Sequence, residues 1–359
     1  MSYYILPKNI NVIDLKPNCS EHVSRHYITF SLLNYYSQIK KQILDMFLNN
    51  CDLSDNSFDE AIKIINPYEF IFSRVPGSKF SVSKLKPKTN IFYDLLEIFN
   101  NLNVLDYLQH AKTIKTLHIS PNFQDSIECL DIYREDCNDS HIYYENIDID
   151  DHDLKEIKVD FIFYETDIKN YFYSCIQAII TVLGNQNYNG SCVIKIEDVF
   201  HKPIVDMLYF LTSLYDKVYI SKPSTNNITS FDRYIVCKNF QIKESDNSYL
   251  KFNYFKLIIF LKKLENKYIN NILDFDLPYY FKSKIDDLNI IIGQQQLEAL
   301  DQIVNIYKNK NKNDKIESIK KNNIQKSVSW CEKYRIPCNK FSEKINIFLP
   351  IINESISLM

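Results

Sequence analysis

Four glycines, Gly77, Gly184, Gly190 and Gly293, are all that 359 residues contain, where usual composition would supply roughly 25. From those positions neither G-x-G-x-x-G nor G-x-x-x-x-G-K-[ST] can be written anywhere. Glycine-rich phosphate cradles of the dinucleotide and P-loop kinds are therefore excluded. A backbone that must lie directly against a ligand needs positions without a Cβ, and here they are scarce.

At 45% apolar the chain can bury a substantial core. Lys and Arg number 42 against 45 Asp and Glu, a net charge of −3, so no dominant basic field exists to grip nucleic acid unaided, although a local basic groove remains open. The nine cysteines are odd in number and scattered, with no C-x-x-C pair. This points to a reducing compartment rather than a disulfide framework or zinc ribbon. With no basic flank leading into a long apolar run, and no stretch of about 18 apolar residues, the expectation is a soluble intracellular protein with no membrane partner.

Residues 1–88 read as an irregular lead, a helix on which Tyr27, Phe30, Leu33, Tyr36, Ile39 and Ile43 recur at helical spacing, and a Pro-punctuated basic loop. From 89 the rhythm alternates: helix 89–109, strand 114–119, helix 125–135, strands 141–147 and 159–165, helix 168–183, strand 191–197, helix 202–215, strands 217–221 and 233–240. Short apolar strands alternating with helices describe an α/β sheet, mostly parallel and covered on both faces. The last two strands, joined by a turn-rich stretch, form a hairpin that sets one strand antiparallel. After 245 the chain is helical again, over 249–272, 293–308 and 314–335. The division is thus a helical N-terminal extension with its loop (1–88), an α/β domain (89–245) and a helical C-terminal region (246–359).

Open α/β sheets bind ligands beyond the carboxyl ends of their strands. There, strand 159–165 ends in Glu165, strand 191–197 carries Lys195, and the last hairpin strand is entered through Ser230-Phe231-Asp232-Arg233-Tyr234. A lysine within an apolar strand is costly to bury unless carboxylates pair with it. Lys195 is accordingly the leading functional candidate, and a structural ion pair with Glu165 or Asp232 is the equal alternative.

The stretches GSCVIKIEDVF, LYFLTSLYDKVYISKPST and SFDRYIVCKNF resemble the C-terminal half of the FtsJ-like RNA ribose 2′-O-methyltransferases. The resemblance covers 89–240 and is most specific over 190–240. With helices added at both ends it looks like the version found in large cytoplasmic DNA viruses. It implies a Rossmann-like methyltransferase sheet, the methyl donor S-adenosylmethionine, and a Lys-Asp-Lys-Glu tetrad in which a lysine of lowered pKa takes the proton of a ribose hydroxyl. Lys195 falls on the central lysine. Glu165 and Asp232 fall on the two acids with their lengths exchanged, and Asp94 stands where the first lysine belongs.

In that family a glycine-rich turn follows the first strand. Here Ser120, Asn122, Phe123, Gln124 and Asp125 occupy it, placing side chains where the donor is expected to lie. VPGSKF at 75–80, with FIFS as its strand, is a second location for the loop. The resemblance further implies RNA, plausibly a capped mRNA 5′ end, as partner, with Arg74, Lys79, Lys84, Lys86, Lys88 and Lys222 as the cations facing it. A protein partner in a viral capping or transcription assembly, and a location in host cytoplasm or virus factory, follow in the same way. Three readings stand: a non-catalytic or weakly active RNA-binding homologue, an active methyltransferase with Lys195 as base, and a structural virion protein keeping only the fold.

Other signals are weaker. His22 and His26 lie four apart on the expected first helix but lack a third metal ligand, His118 reads as a satisfied core histidine, and the acidic run 148–153 reads as a solvated loop. Trp330 reads as the anchor of the last helix.

Overall fold

The computed structural model describes residues 1–48, 56–135, 137–147, 157–243, 247–308 and 313–339. Its strands are β1 (Ser2–Ile5), β2 (Asn18–Ser20), β3 (Lys115–Ile119), β4 (Ser140–Tyr144), β5 (Val159–Glu165), β6 (Gln186–Ile196), β7 (Tyr215–Lys222), β8 (Arg233–Phe240) and β9 (Tyr268–Asn271). The helices are α1 (Phe30–Leu48), α2 (Asn56–Ile65), α3 (Ile91–Leu102), α4 (Phe123–Tyr133), α5 (Tyr171–Asn185), α6 (Lys202–Leu214), α7 (Asn247–Lys262), α8 (Tyr279–Lys308) and α9 (Asn313–Lys333).

Seven strands form one sheet in the order β1-β7-β8-β6-β5-β3-β4, the α/β, Rossmann-like layout expected. β4, β3, β5 and β6 run parallel, and β8 is antiparallel to both β6 and β7. The expected lead contributes an unforeseen strand, because β1 adds to the β7 edge, also antiparallel. Side chains alternate between the faces of each strand. On β5, Ile162 and Tyr164 enter the core under α5 and α6, whereas Phe161 and Phe163 enter the core under α3 and α9. Each such fully buried side chain contributes about 1.5–3 kcal/mol, so helices on both faces are required to seal the sheet.

Two of the scarce glycines sit where a side chain has no room. A Cβ at Gly190 in β6 would stand 2.7 Å from the Asp160 carbonyl oxygen, and one at Gly293 would stand 2.2 Å from Leu32 of α1. That second contact explains a misread boundary. The sequence pattern starts a helix at 293, but α8 begins at Tyr279 and runs straight through Gly293, where α1 packs closest. The expected helix over 249–272 is likewise α7 followed by β9, separated by a turn with Glu265 at φ 48°. Strand β9 pairs with β2, and α1, α2 and α8 share a small core of their own.

His22 and His26 precede α1 rather than lying on it, and the ring of His26 packs on His201 at 4.8 Å. Among the described residues no cluster of acidic, His or Cys side chains is arranged to hold a metal. The acidic run 148–153 lies outside the described residues. No described helix is long and apolar enough to cross a membrane. Trp330 of α9 packs between Tyr93 and Tyr334, with ring centroids at 5.8 and 4.5 Å.

Candidate functional site

From β3 the chain crosses to β4 on one side and returns to β5 on the other, which makes the carboxyl ends of β3 and β5 the switch point where open α/β sheets leave a crevice. A cavity of about 450 Å³ lies there, walled by Ile119 and Pro121 after β3, Asn146 and Ile147 after β4, the segment 164–170 at the end of β5, and Lys195 and Glu197 of the β6 end. That volume is within the usual range of ligand sites.

Strand register brings the acidic and basic candidates side by side. Glu165 of β5 is opposite Lys195 of β6, which is opposite Tyr234 of β8. The Lys195 ammonium donates to Glu165 Oε1 at 2.9 Å, and the Ser120 hydroxyl donates to Glu165 Oε2 at 2.5 Å. Burial works against the Lys195 charge, but the adjoining Glu165 carboxylate outweighs it and holds the amine above the ordinary lysine range. Glu197, raised by burial and then by Asp232, completes this wall.

Asp232 belongs to a second, deeper pair. Lys222 at the end of β7 donates to the Asp232 carboxylate at 3.2 Å, to Asn226 Oδ1 at 2.5 Å and to the Ser230 carbonyl at 3.0 Å. Its burial lowers the Lys222 pKa to about 8, with the Asp232 charge opposing. For Asp232, burial favours the neutral form, but the Lys222 charge prevails and the carboxyl sits below its usual range. Lys222 was expected to face RNA. It is instead buried, with more acceptors around it than it has protons, because residues 224–232 fold back over it.

Asp94, on α3, is wholly buried. It accepts hydrogen bonds from Thr225, from Asn226 at 3.2 Å and from the Tyr234 hydroxyl at 2.9 Å. Burial carries its pKa up to about 7, and those three donors only moderate the rise. The structure therefore brings Lys195 together with Glu165, and Asp232 together with Lys222, while Asp94 anchors the 225–226 turn to β8. Thr225 and Asn226 escaped sequence reasoning, since short polar residues after a strand look like ordinary turn formers, whereas Tyr234 stands in the hairpin stretch already singled out.

The turn after β3 is also engaged internally. Phe123 stacks on Tyr143 at 4.2 Å, Gln124 accepts from Lys88 Nζ at 3.1 Å, and Asp125 accepts from the backbone N–H groups of Lys88 and Thr89 at 2.9 and 2.6 Å. The Ser120 hydroxyl, besides its bond to Glu165, accepts from the Asn122 N–H at 3.0 Å. Phe123 and Gln124, the first residues of α4, are not among the residues that wall the cavity, whose wall here is Ile119 and Pro121. The alternative loop at 75–80 is not supported either, because FIFS overlaps a 3-10 turn, Glu69–Ile71, rather than a strand.

Arg74, Lys79, Lys84, Lys86 and Lys88 are all exposed. Backbone bonds from Val82 to Phe70, Ser83 to Ile71 and Lys84 to Pro337 fix the loop that carries them, and Asp125 fixes its end against the start of α4. This basic loop therefore borders the carboxyl edge of the sheet.

No family model and no curated protein matches the sequence. Among solved structures, the chain is similar to a candidate O-methyltransferase from Nostoc punctiforme, with 10% identity over 54% of this chain and 71% of that one and a TM-score of 0.27. It is similar to human N-acetylserotonin methyltransferase in complex with SAM, with 9% identity over 58% and 67% and a TM-score of 0.26. A S-adenosylmethionine-dependent methyltransferase from Clostridium acetobutylicum shows 12% identity over 47% and 81%, at a TM-score of 0.19.

Proposed function

We propose that the cavity at the β3–β5 switch point takes S-adenosylmethionine, and that the chain is an RNA-binding homologue of the FtsJ-like 2′-O-methyltransferases with weak or absent methyl transfer. The observation that carries this reading is the cavity itself, open beside Pro121 even though the turn has no glycine. Its walls suit that ligand. Glu165, Asp167 and Glu197 outnumber Lys195 and Lys169, which favours a cationic nucleoside over a phosphate-bearing one, and Ile119, Ile147 and Tyr173 offer apolar surface to a base. S-adenosylmethionine held there would supply an electrophilic methyl group.

Weak transfer follows from Lys195. An amine of ordinary pKa, about 10.4, is neutral in roughly one molecule in 2,500 at pH 7, and Glu165 pushes Lys195 higher still. Lys222, a lysine that burial lowers, has its protons committed to Asn226, Ser230 and Asp232. The exposed cations of the loop at 74–88 support the RNA side of the reading. An active enzyme with Lys195 as base is the second reading, favoured by the position of Lys195 and Glu165 in the cavity wall.

Thermal or chemical denaturation with S-adenosylmethionine or its demethylated product tests the site. Ligand at about a hundred times its Kd adds about 2.7 kcal/mol of stability. No shift at millimolar ligand removes the active-enzyme reading and the assignment of the cavity to S-adenosylmethionine, and leaves the RNA side to the salt dependence of binding. If the ligand binds, labelled methyl transfer to RNA, measured with and without Lys195→Ala, separates the two readings.

A further inference from the structure

Helix α7 has two faces of opposite character. Leu250, Asn253, Leu257 and Leu261 are buried on one, whereas Phe252, Phe255 and Ile259 on the other are 54%, 57% and 51% exposed. Spaced three and four apart, the exposed three fall within about 60° of arc. By the same spacing Lys251 and Lys262 flank this stripe on one side, and Lys256 and Lys263 flank it on the other. No acidic residue occurs anywhere on α7.

A second element widens the apolar surface. The Ile13 N–H donates to the Tyr249 hydroxyl at 3.2 Å and the Leu15 N–H to Asn253 Oδ1 at 2.9 Å, so this part of the N-terminal lead lies along α7. Between them Asp14 pairs with Lys256 at 2.5 Å, and the Lys256 ammonium stands 4.1 Å over the Phe252 ring. Ile10 and Val12, just upstream, are 90% and 81% exposed. Single exposed apolar side chains are ordinary, but five large ones on two touching elements mark an interaction surface.

The make-up of the surface selects its occupant. The outside of a helix is convex, so its side chains insert rather than receive. In a two-fold contact with a second copy, the flanking lysines of one molecule would meet those of the other. Ile10, Val12 and Ile259 are aliphatic and offer no ring on which a base could stack. A bilayer with anionic headgroups suits all three features, taking apolar side chains at the acyl boundary and lysines at its phosphates.

We propose that α7 and residues 10–12 form a docking surface for an anionic phospholipid bilayer, with Phe252, Phe255 and Ile259 inserted and the flanking lysines on the headgroups. No described helix can cross a membrane, and lying on one requires no span. Such docking departs from the expectation of no membrane partner, which concerned spanning runs, and it is independent of the methyl-donor and RNA readings.

The test floats the full chain with vesicles of phosphatidylcholine alone and of phosphatidylcholine mixed with phosphatidylserine. The chain should rise with the anionic vesicles and not with the neutral ones, and less of it should rise as salt increases. Phe252→Ser combined with Phe255→Ser should weaken binding at least about tenfold. Lys251→Glu combined with Lys263→Glu, one from each flank, should also weaken it about tenfold or more. Both double variants should melt within a few degrees of the parent, because all four residues are exposed. No flotation with anionic vesicles, or flotation indifferent to the phenylalanine pair, overturns the proposal. So does a parent that sediments as a dimer while the phenylalanine variant sediments as a monomer, which gives the face to a second copy. Displacement of the vesicles by a short oligoribonucleotide or by polyglutamate, through binding that the same variant loses, gives the face to RNA or to an acidic protein and overturns it as well.

Discussion

Asp94, buried on the first helix of the α/β region, and Asp232, half-buried at the entrance to β8, share a single donor: the amide nitrogen of Asn226, 3.2 Å from one and 2.9 Å from the other. Their environments differ sharply. Lys222 compensates Asp232, whereas Asp94 has only neutral donors, so burial drives Asp94 up to about 7 and leaves Asp232 below the usual range.

A pH signature follows. With its folded pKa above the unfolded value of about 3.9, Asp94 contributes stability that is fully present below that value and lost as pH rises through about 7. Asp94→Asn abolishes this dependence. Urea denaturation should find the wild type more favoured relative to the variant at pH 5 than at pH 8, and parallel profiles would show that Asp94 stays charged throughout.

Lys195→Met leaves Glu165, 17% exposed on its side chain, with the Ser120 hydroxyl as its remaining hydrogen-bond donor among the described residues. The expected loss is about 1–3 kcal/mol in chemical denaturation, and Glu165→Gln added to it should restore at least half, because the stranded charge is then removed. A single variant as stable as the parent refutes the idea that the pair is structurally coupled.

Phe123→Gly tests the role of the turn after β3. Losing the stack on Tyr143 should cost about 1 kcal/mol of stability, while affinity for S-adenosylmethionine stays within about twofold, since Phe123 is not among the residues that wall the cavity. A tenfold gain in affinity would reinstate Phe123 as an obstruction.

Binding of single-stranded RNA should weaken with salt. If all five exposed cations from Arg74 to Lys88 meet phosphates, the slope of log K against log salt is about −3.5, and charge reversal at Lys79, Lys84 and Lys86 should flatten it. A salt-independent affinity is incompatible with this loop as the contact surface.

The strands at 159–165 and 233–240 were legible because burial on both faces writes a central apolar run into the sequence, 161–164 in β5 and 234–237 in β8. Lys195 and Glu165 were legible for a related reason: each closes such a run, and adjacent parallel strands place their ends together. The Lys222–Asp232 pair was not. A lysine before Pro223-Ser224-Thr225 looks like a surface residue, and only the fold-back of 224–232 covers it. Short strands β1, β2 and β9 carry too few residues for any period to show, and they exist through partners far along the chain. Gly293 misled in the other direction, since close packing on Leu32, rather than a helix boundary, explains it.

The ladder between β1 and β7 pairs Ser2 with Lys222. During synthesis the residues of β1 therefore emerge long before their hydrogen-bonding strand exists, and they wait unpaired until β7 is made. Until they dock, the rim of β7 is bare backbone, open to strands of other molecules. Pairings of such sequence separation form slowly, so the final closure of this rim marks the interval in which a newly made chain is most exposed to aggregation.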